Sequence, residues 1–241
     1  MKETVVNNAE VLTGESHIHF ACHENLPCFT QCCRDVNIYL TPYDVLRLRK
    51  ALGIGSSDFI NRYTRSFLAK ITHIPVVQLI MDPQTLACPF VTPAGCKVYD
   101  DRPWACRMYP LDLDPKHPGC YRLIQASEKC LGLKENTEWT VSEWLTSQGV
   151  DLYKEMEDLY QSVMPPQFSP GSKMDAGLGK LLFLAYDLDV FKEMIQHSSF
   201  RKFHEIDEEA YRLAMEDEEE LLKLAFSYIR AQLEELFSVM R

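Results

Sequence analysis

The chain has no apolar run approaching the roughly 20 residues that span a bilayer as a helix. Its first residues, "MKETVVNNAEVLTGES", hold no apolar stretch of signal-peptide length. The sequence therefore predicts no membrane span and a cytoplasmic setting. Basic residues are scarce too: 25 Lys and Arg stand against 35 Asp and Glu, a formal net charge of -10. General affinity for nucleic acid or anionic lipid rests on clustered cations, so neither is expected as a partner. A protein or small-molecule partner is expected instead. Gly and Pro are not in excess, and there is no internal repeat, low-complexity tract or Gly-rich nucleotide loop. Cysteine is absent after Cys130, and all nine cysteines lie between Cys22 and that residue. In a reducing compartment such thiols read as metal ligands or catalytic groups rather than as a disulfide framework, and their odd number points the same way.

What is present suffices for a folded protein. The 46% hydrophobic content over 241 residues supports one substantial core or two modest ones. "LTPYDVLRLRKALG" carries a helix start and stop, with Thr41 as N-cap, Pro42 at the first position, Asp44 three past the cap and Gly53 at the end. A second helix is expected from "SSDFINRYTRSFLA", capped by Ser56 or Ser57, and a buried strand from the β-branched "IPVVQLIM". Residues 88–120 show no sustained period and are expected to be loop-rich. "TVSEWL" opens another helix, and "MPPQFSPGS" at 164–172 reads as a linker. Beyond it, Leu222, Phe226, Ile229, Leu233, Phe237 and Met240 recur at spacings of three and four, which predicts one apolar helix face. The acidic run "EIDEEAYRLAMEDEEE" is expected to be a solvated helix face.

The chemistry lies in the cysteines. Cys22, Cys28, Cys32 and Cys33 fall in one stretch, Cys88, Cys96 and Cys106 in a second, and Cys120 and Cys130 follow. Neighbouring side chains of an extended segment point to opposite faces, so Cys32 and Cys33 suit different metal atoms or different corners of a polynuclear cluster. Structural zinc usually uses paired C-x2-C knuckles, and the chain has none. Iron–sulfur clusters are also held by thiolates and accept more varied spacing. The pattern thus leans toward an iron–sulfur site, with zinc as the alternative. Gathered thiolates need charge compensation where water is excluded. Arg34 follows the adjacent pair, Lys97 follows Cys96, and Arg102 and Arg107 bracket Cys106.

His17 and His19 alternate in "SHIHF", which places both on one strand face; a place on the surface or beside a metal is favoured there over a metal-ligand role. His23 abuts Cys22 as an alternative ligand or a hydrogen-bond donor. Tyr99, Trp104 and Tyr109 are expected to wall the site. Cysteine-nucleophile catalysis needs one thiol near a His, so nine clustered thiols argue against it.

The blocks "CFTQCC" and "ACPFVTPAGCKVYDDRPWACRMYPL" resemble the YkgJ-type cysteine-cluster family, described as zinc- or iron-chelating and including flagellin lysine N-methylases. Its pattern is a cysteine run ending in CC, then C-x-F, C-x-I/V-Y and R-P-x-x-C-R-x-Y/F-P. Cys88 with Phe90, Cys96 with Val98 and Tyr99, then Arg102, Pro103, Cys106, Arg107, Tyr109 and Pro110 fall on it. "CLGL" at Cys130 resembles the C-P-G element that follows, with Leu131 where proline is usual. The first run is spaced Cys22-x5-Cys28-x3-Cys32 instead of by twos. The helical tail is similar to that of many relatives.

The resemblance implies metal ligands at Cys22, Cys28, Cys32, Cys33, Cys88, Cys96, Cys106 and Cys130, with Cys120 outside the set. It implies one or two 4Fe-4S clusters, with Arg34, Arg102 and Arg107 as cluster-facing cations. The expected fold is mainly α with irregular loops and little β. A metal-stabilised cysteine-cluster domain over 1–163 would be followed by a helical C-terminal region over 173–241 packed on it. The expected role is a redox or maturation accessory, or a cluster-dependent protein-modifying enzyme; the alternative is a zinc-stabilised interaction module without catalysis.

Overall fold

The computed structural model describes residues 11–70, 72–124, 128–165 and 176–239. In chain order the elements are β1 His17–His19, β2 Tyr39–Leu40, α1 Pro42–Leu52, α2 Ser56–Tyr63, β3 Thr64–Leu68, β4 Pro75–Leu79, β5 Val91–Thr92, β6 Gly95–Cys96, α3 Trp104–Met108, β7 Leu111–Leu113 and β8 Tyr121–Leu123. Then come β9 Glu138–Thr140, α4 Val141–Ser147, α5 Val150–Gln161, α6 Ala176–Leu182, α7 Leu188–Gln196, α8 Ser198–Phe203, α9 Glu208–Glu216 and α10 Glu218–Val239. Helix predominates and the strands are short. The chain forms two interleaved units, one of residues 1–36, 81–99 and 104–152, the other of 37–80, 100–103 and 153–241. The linker expected at 164–172 lies, from residue 166 on, outside the described residues.

The first unit holds every cysteine. β1 pairs antiparallel with β9, Ile18 opposite Trp139, and β5–β6 and β7–β8 are hairpins. Residues 88–120, expected to be loops, thus carry short pairs of strands and α3. Pairs this short have no period to read, which is why the sequence did not show them. The unit's apolar core gathers Leu12, Ile18, Phe20, Met108, Leu111, Val141, Trp144, Leu145 and Val150 around the buried Cys130. Phe20 meets Trp144 edge-on at 5.0 Å, and the Trp144 indole N–H donates to the Met108 carbonyl. α4 is the helix that "TVSEWL" was expected to open, and Thr140 caps it through a reciprocal box with Glu143.

The second unit has a three-stranded antiparallel sheet of order β2-β4-β3 and most of the helices. α1 has the expected ends: the Thr41 hydroxyl accepts from the Asp44 N–H, the Asp44 carboxylate accepts from the Thr41 N–H, and Gly53 closes the helix in the left-handed region. The second expected helix is corrected twice. It stops at Tyr63, and "TRSFL" becomes β3, because pairing with β4 satisfies its backbone and its β-branched and aromatic residues suit a strand. Its N-cap is Gly55, not a serine. The Ser56 and Ser57 hydroxyls donate to Asp187, while the Asp189 N–H donates to Ser56 Oγ, tying α2 to the start of α7.

In α10, Leu222, Phe226, Ile229 and Leu233 are buried as the spacing predicts. Phe237 is half-buried, and Met240 lies outside the described residues. The acidic run is not wholly solvated. Glu219 accepts a hydrogen bond from the Tyr43 hydroxyl, and Glu218 pairs with the buried Arg49.

Candidate metal centre

Four separate segments of the first unit bring the thiols near one another. Within the first, a chain of tight turns runs from Cys28 to Cys33: the Gln31 N–H donates to the Cys28 carbonyl and the Cys33 N–H to the Thr30 carbonyl. Gln31–Cys33 is a 3-10 turn, with Thr30 before it in the left-handed region at φ 64°. The adjacent pair is therefore not extended, as expected above, but coiled. In a 3-10 turn successive side chains diverge by about 120°, so Cys32 and Cys33 still face different ways.

The turn is pinned from two sides. On one, the Cys88 N–H donates to the Cys33 carbonyl at 2.8 Å, and Arg34 bridges Ala87. From Cys88 the chain turns, the Val91 N–H donating to the Cys88 carbonyl, into the β5–β6 hairpin, where Cys96 stands opposite Val91. Gly95, at the hairpin bend with φ +112°, takes a conformation that favours glycine. On the other side, the Leu131 N–H donates to the Cys28 sulfur at 3.3 Å, and the Ala21 N–H donates to the Gly132 carbonyl. A Cβ on Gly132 would collide with the Ala21 carbonyl oxygen, so only glycine permits this approach of the Cys130 segment to the Cys22 segment.

The thiols act on one another. Although the Cys22 residue is exposed, the protein mass around its thiol, then the charges of Cys32, Cys130 and Cys28, push it up to about 11. The Cys33 thiol is raised first by holding its proton in a hydrogen bond to Cys32, then by burial and by Cys32, Cys106 and Cys88. The same bond lowers Cys32. Burial, and then Cys96, raise Cys88. Tyr109 is raised by burial, then by a hydrogen bond to Cys130 and by the charges of Cys130, Cys32 and Cys28. Crowded thiols resist ionisation unless a cation joins them, which is what a thiolate-held metal supplies. Among the described residues, no group of three or more His, Cys, Asp or Glu side chains is arranged as it stands to hold a metal ion. The donor chemistry fits a thiolate-bound metal; the sulfurs are neighbours, not a closed shell.

The other expected residues fall in several places. Arg34 is exposed beside the turn. Arg107 is buried, and its Nη1 donates to the Gln148 carbonyl at the end of α4. Arg102 is buried within the second unit. The Lys97 ammonium lies 6.0 Å from the centre of the Phe90 ring. His17 and His19 share the exposed face of β1, and His17 pairs with Glu138. His23 lies 3.6 Å from Glu135. Trp104 and Tyr109 pack on the unit's apolar core, whereas Tyr99 is 56% exposed. Cys120 closes the β7–β8 hairpin, its carbonyl accepting from the Asp114 N–H, and is not among the thiols that act on Cys22, Cys33, Cys88 or Tyr109.

Two features went unseen in the sequence. The Leu131 N–H aimed at a sulfur is a backbone group, which leaves no trace in residue type. The Tyr109 hydroxyl beside Cys130 had a signal, its place in "RMYP", but the sequence suggested only a wall.

Residues 21–139 match the model of a family described as "CxxCxxCC: Putative zinc- or iron-chelating domain". No curated protein and no solved structure gives a significant match.

Proposed function

We propose, from the match of residues 21–139 to that cysteine-cluster family's model, that this chain is an iron–sulfur protein. Its metal ligands in this reading are Cys22, Cys28, Cys32, Cys33, Cys88, Cys96, Cys106 and Cys130. The observation that supports it is the meeting of thiol-bearing segments far apart in the chain, the Cys88 N–H on the Cys33 carbonyl and the Leu131 N–H on the Cys28 sulfur. Thiols brought together in this way suit a metal held by thiolates. Varied spacing, with no paired knuckle, favours iron–sulfur over mononuclear zinc. When bound, the cluster would supply one-electron redox chemistry. Arg34, Arg102 and Arg107, which the sequence sets beside the cysteines, are the cations proposed to offset thiolate charge.

The role that suits this chemistry is a cytoplasmic redox or maturation accessory working with a protein partner. The enzymatic form of the same reading is protein modification of the flagellin lysine N-methylase kind. The family description also names zinc, which supports a second reading: a zinc-stabilised interaction module without catalysis. Anaerobic purification followed by iron, sulfide and zinc quantification per chain separates the two. Iron with matching sulfide in a brown protein is expected. Zinc without sulfide moves the conclusion to the second reading, and a folded protein with no metal overturns both.

A further inference from the structure

We propose that the Leu131 backbone N–H is a positioning group for the Cys28 sulfur, fixed by the fold so that it makes an iron–sulfur group bound through Cys28 easier to reduce. The proposal rests on the iron–sulfur reading above and adds to it a group of the chain other than a cysteine side chain.

The bond joins two distant parts of the chain. The Leu131 N–H donates to Cys28 Sγ at 3.3 Å, between residues 103 apart in sequence. Both ends are fixed by backbone contacts that involve no thiol. At the donor end the Ala21 N–H donates to the Gly132 carbonyl at 3.1 Å, and the Leu133 N–H to the Cys130 carbonyl at 3.1 Å. Gly132 is buried, and the Ala21 carbonyl oxygen stands where a Cβ on it would fall, so this approach is tight. At the acceptor end the Gln31 N–H donates to the Cys28 carbonyl at 3.0 Å, and the Phe29 N–H to the Leu26 carbonyl at 2.8 Å. An N–H held in this way is aimed before any metal arrives and needs no reordering to meet a charged sulfur.

The direction of its effect follows from charge. A metal-bound thiolate is negative, and an N–H that donates to it makes a charge-assisted hydrogen bond, stronger the more negative the sulfur. Taking one electron from a donor such as dithionite makes an iron–sulfur group one charge more negative, with no bond of the chain made or broken. The N–H therefore favours the reduced form, and hydrogen bonds to sulfur are among the influences that set the potentials of such groups. Because the donor is a backbone group, every residue except proline supplies it. Proline nevertheless fits the place: Leu131 opens the 3-10 turn Leu131–Lys134, and Cys130 before it has φ -104° and ψ 95°, in the extended region that a residue preceding proline takes.

The test uses the full chain, purified anaerobically, in four forms. These are the wild type, Leu131→Ala, which keeps the N–H, Leu131→Pro, which removes it, and a chain carrying the α-hydroxy analogue of leucine at position 131, whose ester oxygen replaces the N–H alone. Iron and sulfide per chain, circular dichroism and the reduction potential in a dithionite titration followed by visible absorbance are measured. All four should hold the same iron and sulfide. Leu131→Ala should keep the wild-type potential, and the proline and ester forms should both shift to lower potential. Equal potentials in all four, with iron retained, overturn the proposal and leave the iron–sulfur reading intact. Should Leu131→Pro not fold, the ester form decides between the same two outcomes. Loss of iron from the ester form with circular dichroism unchanged also overturns it, because the N–H would then be needed to hold the metal rather than to set its potential. A wild type without iron and sulfide overturns the proposal together with the reading beneath it.

Discussion

The two units recover the cost of ordering their chains by different means. The helical unit buries long apolar faces: Leu221, Leu222, Ala225, Ile229 and Leu233 of α10 are at most 1% exposed, as are Phe59, Leu46, Leu48 and Phe191. The cysteine-bearing unit has short strands, the five-residue α3 and the seven-residue α4, joined by irregular segments such as "DLDPKHPG". Loops of that kind regain little ordering entropy from apolar burial. The difference teaches that residues without a periodic pattern need another source of order, which the proposed metal–thiolate bonds would add to this unit's own apolar core.

The largest effect expected from this contrast is on metal removal. If bonds to thiolates link Cys22–Cys33 with Cys88–Cys130, binding free energy adds to folding free energy. Chelation, or air exposure of an iron–sulfur form, should render the cysteine-bearing unit, residues 22–36, 81–99 and 104–130, protease-sensitive while the helical circular dichroism signal of the other unit persists. A metal-free protein whose cysteine-bearing unit stays protease-resistant would break the contrast.

Next in size is Leu233→Ala, which opens a cavity in the helical unit and should cost about 2–5 kcal/mol in urea unfolding. Metal content per chain should not change, and a loss of metal would mean that the units are not independent in this respect. Thr41→Ala removes one half of the capping box of α1 and should cost about 1 kcal/mol, again with metal retained.

The smallest effect concerns pH. Burial raises the Glu157 carboxyl above its usual range; its Oε1 accepts from Gln161, while Oε2 has no hydrogen-bond partner. A carboxyl whose folded value is raised favours the folded state only while protonated, so that contribution fades as pH climbs from the ordinary carboxylate range through the raised value. Glu157→Gln should therefore raise the urea midpoint of the helical unit at pH 7 and leave it unchanged at about pH 4, near the ordinary carboxylate value. An equal gain at both pH values would show that ionisation is not the cause.

Legibility differed between the regions for the same physical reason. The α1 caps, β4, α4 and the apolar stripe of α10 were readable because each is encoded within a few residues, by a cap at fixed offset or by a repeating period. β3 was misread as helix because its partner β4 lies further along the chain, and no signal within the segment announces that pairing. Ser56 and Ser57 were misread as caps because their acceptor is Asp187, far along the chain. Glu218 and Glu219 were read as solvated because nothing local announces Arg49 and Tyr43.

By itself the sequence determined the chemistry on offer: nine thiols confined to one part of the chain, a net negative charge, and no helix-length apolar run. It also carried the resemblance to the cysteine-cluster family, motif residue by motif residue, within residues 21–139. Only the tertiary structure decided which thiols are neighbours. Residues 37–80 lie in sequence between Cys33 and Cys88, yet they group with the C-terminal helices and let the two cysteine segments meet through one backbone hydrogen bond. Sequence distance does not report such meetings, because the free energy of closing a loop grows slowly with its length, and the contacts that close it are made by residues far apart in the chain.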